Sequence, residues 1–286
     1  MDKQELDKKY KQAVINGDSI EIANVCDLLL PDKLYNYSSF SEFWHSKIIQ
    51  GKFFLNSPAN FNDPYDCRVQ DSVEFWLDET LKNYPEFNTP DIKQEFLEGK
   101  RLLNKDGRKI TIEEYAEESG QELKRRFKIV CFSEVKDSLL MWSHYADMHK
   151  GYVIEIDTEK FKKDILEKYH FFKVIYDEKP ITLYDMEKSR DKQTFLLFKS
   201  LEWAYEKEWR YIHYEKNFLD VSEYISAIYL GSRFDIKRYY FEFCAIQKHC
   251  QEKGIKLYQM KINDKYYKLD SVDITNVSFS ADGRKI

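Results

Sequence analysis

The sequence predicts an α+β protein built on a mixed, largely antiparallel sheet, and three observations carry that prediction. Short runs rich in β-branched and aromatic residues recur at Lys33–Tyr37, Lys52–Asn56, Phe127–Ser133, Gly151–Asp157, Phe171–Tyr176, Glu208–Tyr214, Ile225–Leu230 and Ile255–Ile262. Several are joined by connections too short for a helix, which argues against a regular parallel βαβ wind. Between and before them lie segments whose apolar residues fall at helical spacing.

Taken in order, Asp2–Asn16 reads as a polar helix with a thin apolar stripe, stopped by Gly17, and Asp18-Ser19-Ile20-Glu21 opens a second helix that Pro31 ends. Residues 1–32 therefore form a helical N-terminal prefix, and residues 33–286 a single α+β domain. Within it, Phe40–Gln50 is predicted helical, with Ser39 as cap and Gly51 as stop, and Ser57–Cys67 is a loop. Asp71–Tyr84, Pro90–Leu103 and Ile112–Arg126 form a helical insert around residues 71–126, with Thr89 and Thr111 as caps and Asn104-Lys105-Asp106-Gly107 as a turn. Further helices are expected at Asp137–Asp147, Thr182–Ser200 and Phe234–Lys253, the last closed by Gly254.

Composition narrows the classes. With 43% hydrophobic and 16% aromatic residues, and only 9 Gly and 6 Pro in 286, disordered and collagenous chains are excluded. The formal charge of −5 excludes a strongly basic nucleic-acid coat, and the local basic clusters at Lys124-Arg125-Arg126 and Lys237-Arg238 sit beside acidic runs. No run approaches a membrane span and the N-terminus lacks a secretory pattern, so the expected location is the cytoplasm with no membrane partner. Five cysteines without a C-x-x-C pair read as reduced thiols, with no structural metal expected. Phosphate-loop, dinucleotide-fold, nucleophile-elbow and H-E-x-x-H motifs are all missing.

Four clusters mix polar, charged and aromatic residues where loops meet strand ends. In Ser57–Cys67, two prolines fix the backbone around Asn62 and Asp63, as ligand contacts or as a self-capped turn. In Cys131-Phe132-Ser133-Glu134, alternation sets Ser133 and Glu134 on opposite faces, so Ser133 can leave the core face into a cleft, or Ser133 or Asp137 can cap the next helix. In Met141–Gly151, His144 and Asp147 are helical neighbours that can share a proton-fixing contact, whereas His144 and His149 are five apart, the wrong spacing for a zinc pair. In Glu202–Ile212, Glu208 and Arg210 share a strand face just after Glu206. They form either a surface ion pair worth about 0–1 kcal/mol or a catalytic carboxylate beside an anion holder. Trp203, Tyr205 and Trp209 either stack on a planar ligand or fill the core.

Leu34-Tyr35-Asn36-Tyr37, Phe61-Asn62-Asp63-Pro64, Cys131-Phe132-Ser133-Glu134, Met141-Trp142-Ser143-His144-Tyr145-Ala146-Asp147 with His149-Lys150-Gly151, and Glu206-Lys207-Glu208-Trp209-Arg210, in that order, resemble the signature of the bacterial domain of unknown function 2971 family over roughly Lys33 to Gly231. The resemblance implies no activity, only a mobile-element or phage-defence setting. A fainter resemblance is to toxin-type ADP-ribosyltransferases, with stations at Tyr35-Asn36-Tyr37, Phe132-Ser133-Glu134 and Glu206-x-Glu208. It implies NAD as substrate, an unidentified protein or nucleic acid as target, Glu208, Glu206 and His144 as catalytic residues, and ligand contacts from Tyr35, Tyr37, Asn62, Asp63, Ser133, Glu134, Trp142, Tyr145 and Arg210. Asn36 stands where that family places a cation or imidazole, so His144 or Arg210 would have to substitute. Two alternatives stand beside it. One is a divalent-metal phosphodiester hydrolase using Asp63, Glu134, His144, Asp147 and Glu208; the other is a non-catalytic sensor or partner-binding module contacting through exposed aromatics.

Overall fold

A computed structural model describes residues 2–70, 77, 81–82, 85–87, 89–162, 170–182 and 193–286. The chain begins with helices α1 (Lys3–Asn16) and α2 (Ser19–Leu29), then strands β1 (Lys33–Ser38), β2 (Lys52–Phe54) and β3 (Val69–Gln70). Helix α3 (Pro90–Leu97), hairpin strands β4 (Leu102–Leu103) and β5 (Lys109–Ile110), and helix α4 (Ile112–Arg125) follow. Next come β6 (Lys128–Ser133), α5 (Leu139–Tyr145), β7 (Tyr152–Asp157), α6 (Thr158–Phe161), β8 (Phe171–Lys173), β9 (Ile175–Asp177) and β10 (Ile181–Thr182). The chain closes with β11 (Phe198–Ser200), β12 (Glu208–His213), β13 (Phe218–Asp220), β14 (Ile225–Leu230), α7 (Tyr240–Lys253), β15 (Lys256–Ile262) and β16 (Leu269–Asp273). These segments divide into two compact units: Met1–Leu29, Asn56–Lys128 and Val174–Glu202 in the first, and Leu30–Leu55, Ile129–Lys173 and Trp203–Ile286 in the second.

In the first unit, α1 starts with a reciprocal cap in which the Glu5 amide donates to Asp2 Oδ1 at 2.9 Å and the Asp2 amide to Glu5 Oε2 at 3.1 Å. Gly17, at φ 65°, closes the helix in the left-handed region. α1 and α2 pack on one another, and the residues they bury are Tyr10, Ala13 and Val14 on α1 and Ile22, Val25, Cys26 and Leu29 on α2. Thr111 and Glu114 form the same kind of box on α4. Helix α3 stops earlier than its spacing predicts because Gly99 takes φ 68°, after which Leu102–Leu103 pairs with Lys109–Ile110 across the Asn104 turn. The helix expected at Asp71–Tyr84 lies almost entirely outside the described residues. Residues 183–192 of the one expected at Thr182–Ser200 do too; beyond them Thr194–Leu197 is a 3₁₀ turn and Phe198–Ser200 a strand parallel to β9.

The second unit holds an eight-stranded sheet in the order β16-β15-β14-β7-β1-β6-β12-β8. The pairings β15–β16, β7–β14, β1–β7, β1–β6 and β8–β12 are antiparallel. β14 and β15 are parallel, and α7 supplies the long crossover that parallel pairing requires. The sheet is thus mixed and mainly antiparallel, as the spacing predicts. β1 and β7 lie at its centre and are buried on both faces. On one face Tyr35, Tyr37, Val153, Ala227, Tyr229 and Met260 pack against Met141, Trp142 and Ala146 of α5 and its exit.

Three expectations change here, the first being that the helix predicted from Phe234 begins only at Tyr240. Phe40–Gln50 is not one helix: Phe40 instead packs against Trp44, Tyr152, Phe234 and Tyr239, and only His45–Ile49 coils, as a π-helical turn. Phe171–Tyr176 breaks at Val174, its first half pairing with β12 and its second with β11. No helix among the described residues is long and apolar enough to cross a membrane.

Candidate active site

The site is built where α5 and its exit meet the turn before β12. The Ser138 hydroxyl accepts the Met141 amide at 3.4 Å and caps α5, a role the sequence offered to Ser133 or Asp137. After Tyr145 the backbone passes through a left-handed turn, with φ of 46°, 50° and 69° at Asp147, Met148 and His149. Three consecutive non-glycine residues in this region carry a cost that only surrounding structure can hold. Gly151 and Gly231 provide the room: a Cβ at Gly151 would stand 2.1 Å from the Ser38 carbonyl oxygen, and one at Gly231 2.0 Å from that of His149.

Opposite α5, Leu201–Glu206 forms a 3₁₀ turn and Lys207, at φ 45°, leads into β12. The Tyr145 hydroxyl donates to Glu206 Oε1 at 2.6 Å. His144 Nδ1 lies 3.1 Å from the Tyr205 hydroxyl, with the Trp203 ring 6.2 Å away. Glu206 is 3% exposed, and Tyr145, Trp203 and Tyr205 are half-buried. Ser133 does not face a cleft: it is fully buried, its hydroxyl donates to the Glu206 carbonyl at 2.5 Å and accepts the Val135 amide, and it pins the turn. The Glu134 amide donates to the Lys207 carbonyl, and its carboxylate accepts Trp209 Nε1 at 3.1 Å.

Glu208 and Arg210 do share a strand face, but their pair is not on the surface. Both are buried, with Arg210 Nε 2.7 Å from Glu208 Oε1 and Nη2 3.1 Å from Oε2, a two-point contact. Trp209, on the opposite face, is core. The described contact of the His144 ring is to Tyr205 rather than Asp147, whose backbone has left the helix.

Beside this lies a carboxylate centre that sequence reasoning passed over. Glu155, in the middle of β7, accepts the Tyr229 and Ser226 hydroxyls, each at 2.7 Å, and lies 3.5 Å from Lys33 Nζ. Burial first, and then the Glu155 carboxylate, push the Tyr35 and Tyr229 hydroxyls above the ordinary phenol range. The available signal was a lone acid inside the apolar run Tyr152–Ile156. On the other face of β1, Lys47 Nζ donates to Ser38 Oγ at 2.6 Å and Asn36 Oδ1 at 3.0 Å, and burial lowers its pKa to about 8. Tyr37 donates to the Val135 carbonyl and meets Trp142 edge-on at 5.6 Å, while the buried Trp142 indole donates to the Lys136 carbonyl.

Tyr35, Tyr37, Ser133, Glu134, Trp142, His144, Tyr145, Glu206, Glu208 and Arg210 thus all belong to the second unit. Asn62 and Asp63 belong to the first, where Asp63 Oδ1 accepts the Tyr65 amide as a turn and Oδ2, though buried, has no partner among the described residues. No three His, Cys, Asp or Glu side chains gather as a metal-holding group among the described residues, so the carboxylate set of the metal-hydrolase reading is not assembled there.

Unit two is therefore an α+β sheet module with a buried carboxylate joined to a tyrosine hydroxyl. Residues 141–211, from Met141 in α5 to Tyr211 in β12, match the family described as "Protein of unknown function (DUF2971)". No curated protein and no solved structure matches the chain.

Proposed function

We propose that the second unit catalyses transfer of ADP-ribose from NAD⁺, with Glu206 rather than Glu208 as the charge-stabilising carboxylate. In that reaction the bond from ribose C1′ to nicotinamide breaks, its electron pair leaves with nicotinamide, and an acceptor hydroxyl, amine or water attacks C1′ and gives up a proton. Positive charge develops on the ribose, and a preorganised carboxylate in a water-poor setting stabilises it most. The observation that carries the reading is the Glu206–Tyr145 contact of 2.6 Å, with Tyr145 in turn against the His144 ring, which Trp203 and Tyr205 adjoin. Glu208 suits the role less because Arg210 already neutralises it. The surrounding rings offer planar faces for nicotinamide or adenine.

The test is nicotinamide release from labelled NAD⁺ by purified protein, with and without a protein and nucleic-acid extract as acceptor. Glu206→Gln is expected to lower release by about 10²–10³-fold, the cost of removing one aligned stabilising group. Release equal to the wild type in Glu206→Gln, or none under any condition, sinks the proposal.

A second reading, a partner-binding module, is favoured by one observation. Phe43, Phe54 and Phe218 are exposed and adjacent, with Phe43 and Phe54 rings 6.1 Å apart and Phe54 opposite Phe218 across the β2–β13 pair. A protein that never releases nicotinamide but loses a co-purifying partner on Phe54→Ser would fit this reading instead.

A further inference from the structure

The second unit also holds a cavity of about 490 Å³ between the start of α5, the left-handed turn, the segment after β14 and the β15–β16 connection. His149, Arg233, Lys265, Tyr266 and Tyr267 line it, and its volume is in the range that holds a small cofactor or nucleotide. We propose that this cavity binds a phosphorylated nucleoside, with Arg233 and Lys265 on the phosphates and Tyr266 or Tyr267 against the base.

Charge comes first. Among the described residues, neither the Arg233 guanidinium nor the Lys265 ammonium has an ion-pair partner, whereas Lys268 is held by Asp270 at 3.2 Å. Asp264 is the one acid on the wall, so the lining favours an anion. Both tyrosine rings are exposed, Tyr267 completely, and a ring presented to solvent beside cations is the arrangement that stacks a base above a bound phosphate.

His149 then specifies more than an anion. The Ser143 hydroxyl donates its proton to the Leu139 carbonyl at 2.8 Å, so its 3.2 Å contact with His149 needs Nε2–H as the donor. Nδ1 is then a bare acceptor, buried and without a partner among the described residues. Burial, and then nearby Arg233, also disfavour the protonated ring. A lining that joins cations and this histidine to exposed tyrosine rings matches a ligand with both phosphate and base, which a nucleotide has and inorganic phosphate lacks. This inference stands on residues other than Glu206 and does not rest on transferase activity.

Isothermal titration of the full chain with ADP, adenosine and inorganic phosphate tests it. ADP should bind, with adenosine and phosphate each at least tenfold weaker. Arg233→Gln combined with Lys265→Gln should weaken ADP at least tenfold, and Tyr267→Ala combined with Tyr266→Ala at least threefold. All four side chains are exposed, so thermal unfolding should not move. Glu206→Gln should bind ADP as the wild type does, which separates this site from the proposed chemistry; NAD⁺ in place of ADP, losing affinity in the same double variant, would identify the substrate itself as the source of the nucleotide. No heat with millimolar ADP, an affinity indifferent to the cation variants, or phosphate binding as tightly as ADP would each overturn the proposal.

Discussion

Each unit buries an ion pair, and the two are built differently. In the second, Glu208 and Arg210 come from one strand two residues apart, so the pair exists as soon as β12 is extended. In the first, the Asp66 carboxylate lies 3.4 Å from Lys199 Nζ and takes the Cys67 thiol at 3.2 Å, while the Asp66 carbonyl accepts Lys124 Nζ at 2.8 Å. That knot joins three segments far apart in sequence and forms only with the unit's tertiary structure. A local pair can be read as a face of a strand, whereas a distant one reports which segments the fold has gathered.

The comparison can be broken most strongly at Arg210. Arg210→Met leaves Glu208 buried without its cation, and the expected loss is about 3–5 kcal/mol, read as a fall in the urea midpoint by tryptophan fluorescence. Adding Glu208→Leu should restore most of it, since an apolar pair of similar volume replaces a buried ion pair at little cost. If the single variant were as stable as wild type, the pair would not be a buried structural contact at all.

Lys199→Met should cost less, about 1–3 kcal/mol, because Asp66 keeps the Cys67 thiol as a donor. Hydrogen exchange should show the loss in peptides of the first unit; faster exchange confined to β12 would contradict the division. Tyr145→Phe removes one hydroxyl donor from Glu206, with about 1 kcal/mol lost by urea unfolding and nicotinamide release lowered on the order of tenfold.

A last effect is one of pH rather than of a lost contact, and it belongs to Lys47, a half-buried lysine whose ammonium meets neutral acceptors. Its ammonium titrates near 8 in the fold against about 10.5 when free. Between those values the unfolded chain binds a proton that the folded chain does not, so this group's contribution makes stability rise with pH across the window. Below it both states are charged and the fold bears the full penalty. Lys47→Met should therefore flatten the stability profile between about pH 8 and 10.5, and an unchanged slope would count against the burial of that ammonium.

Legibility followed locality. The Thr111 cap, the Gly17 and Gly254 stops and the longer strands were visible because each depends on residues within a few positions. β16 and β13 were among the seven strands missed, since Leu269–Asp273 and Phe218–Asp220 are short segments whose extension comes from pairing with β15 and β2. At the site, the assembly of Tyr145 with Glu206 across 61 positions had no local signature, nor did the burial of Glu208 with Arg210.

By itself, then, the sequence determined the α+β class, the strand faces and the segments that carry the family match, because hydrophobic period and capping act over one or two turns. The tertiary structure alone decided which carboxylates meet a phenol and which meet a cation. It decided that Ser133 anchors a turn, and that His149 stands beside Arg233 at a cavity wall. Those outcomes depend on burial and on contacts between distant segments, which only the packed chain brings within hydrogen-bonding reach.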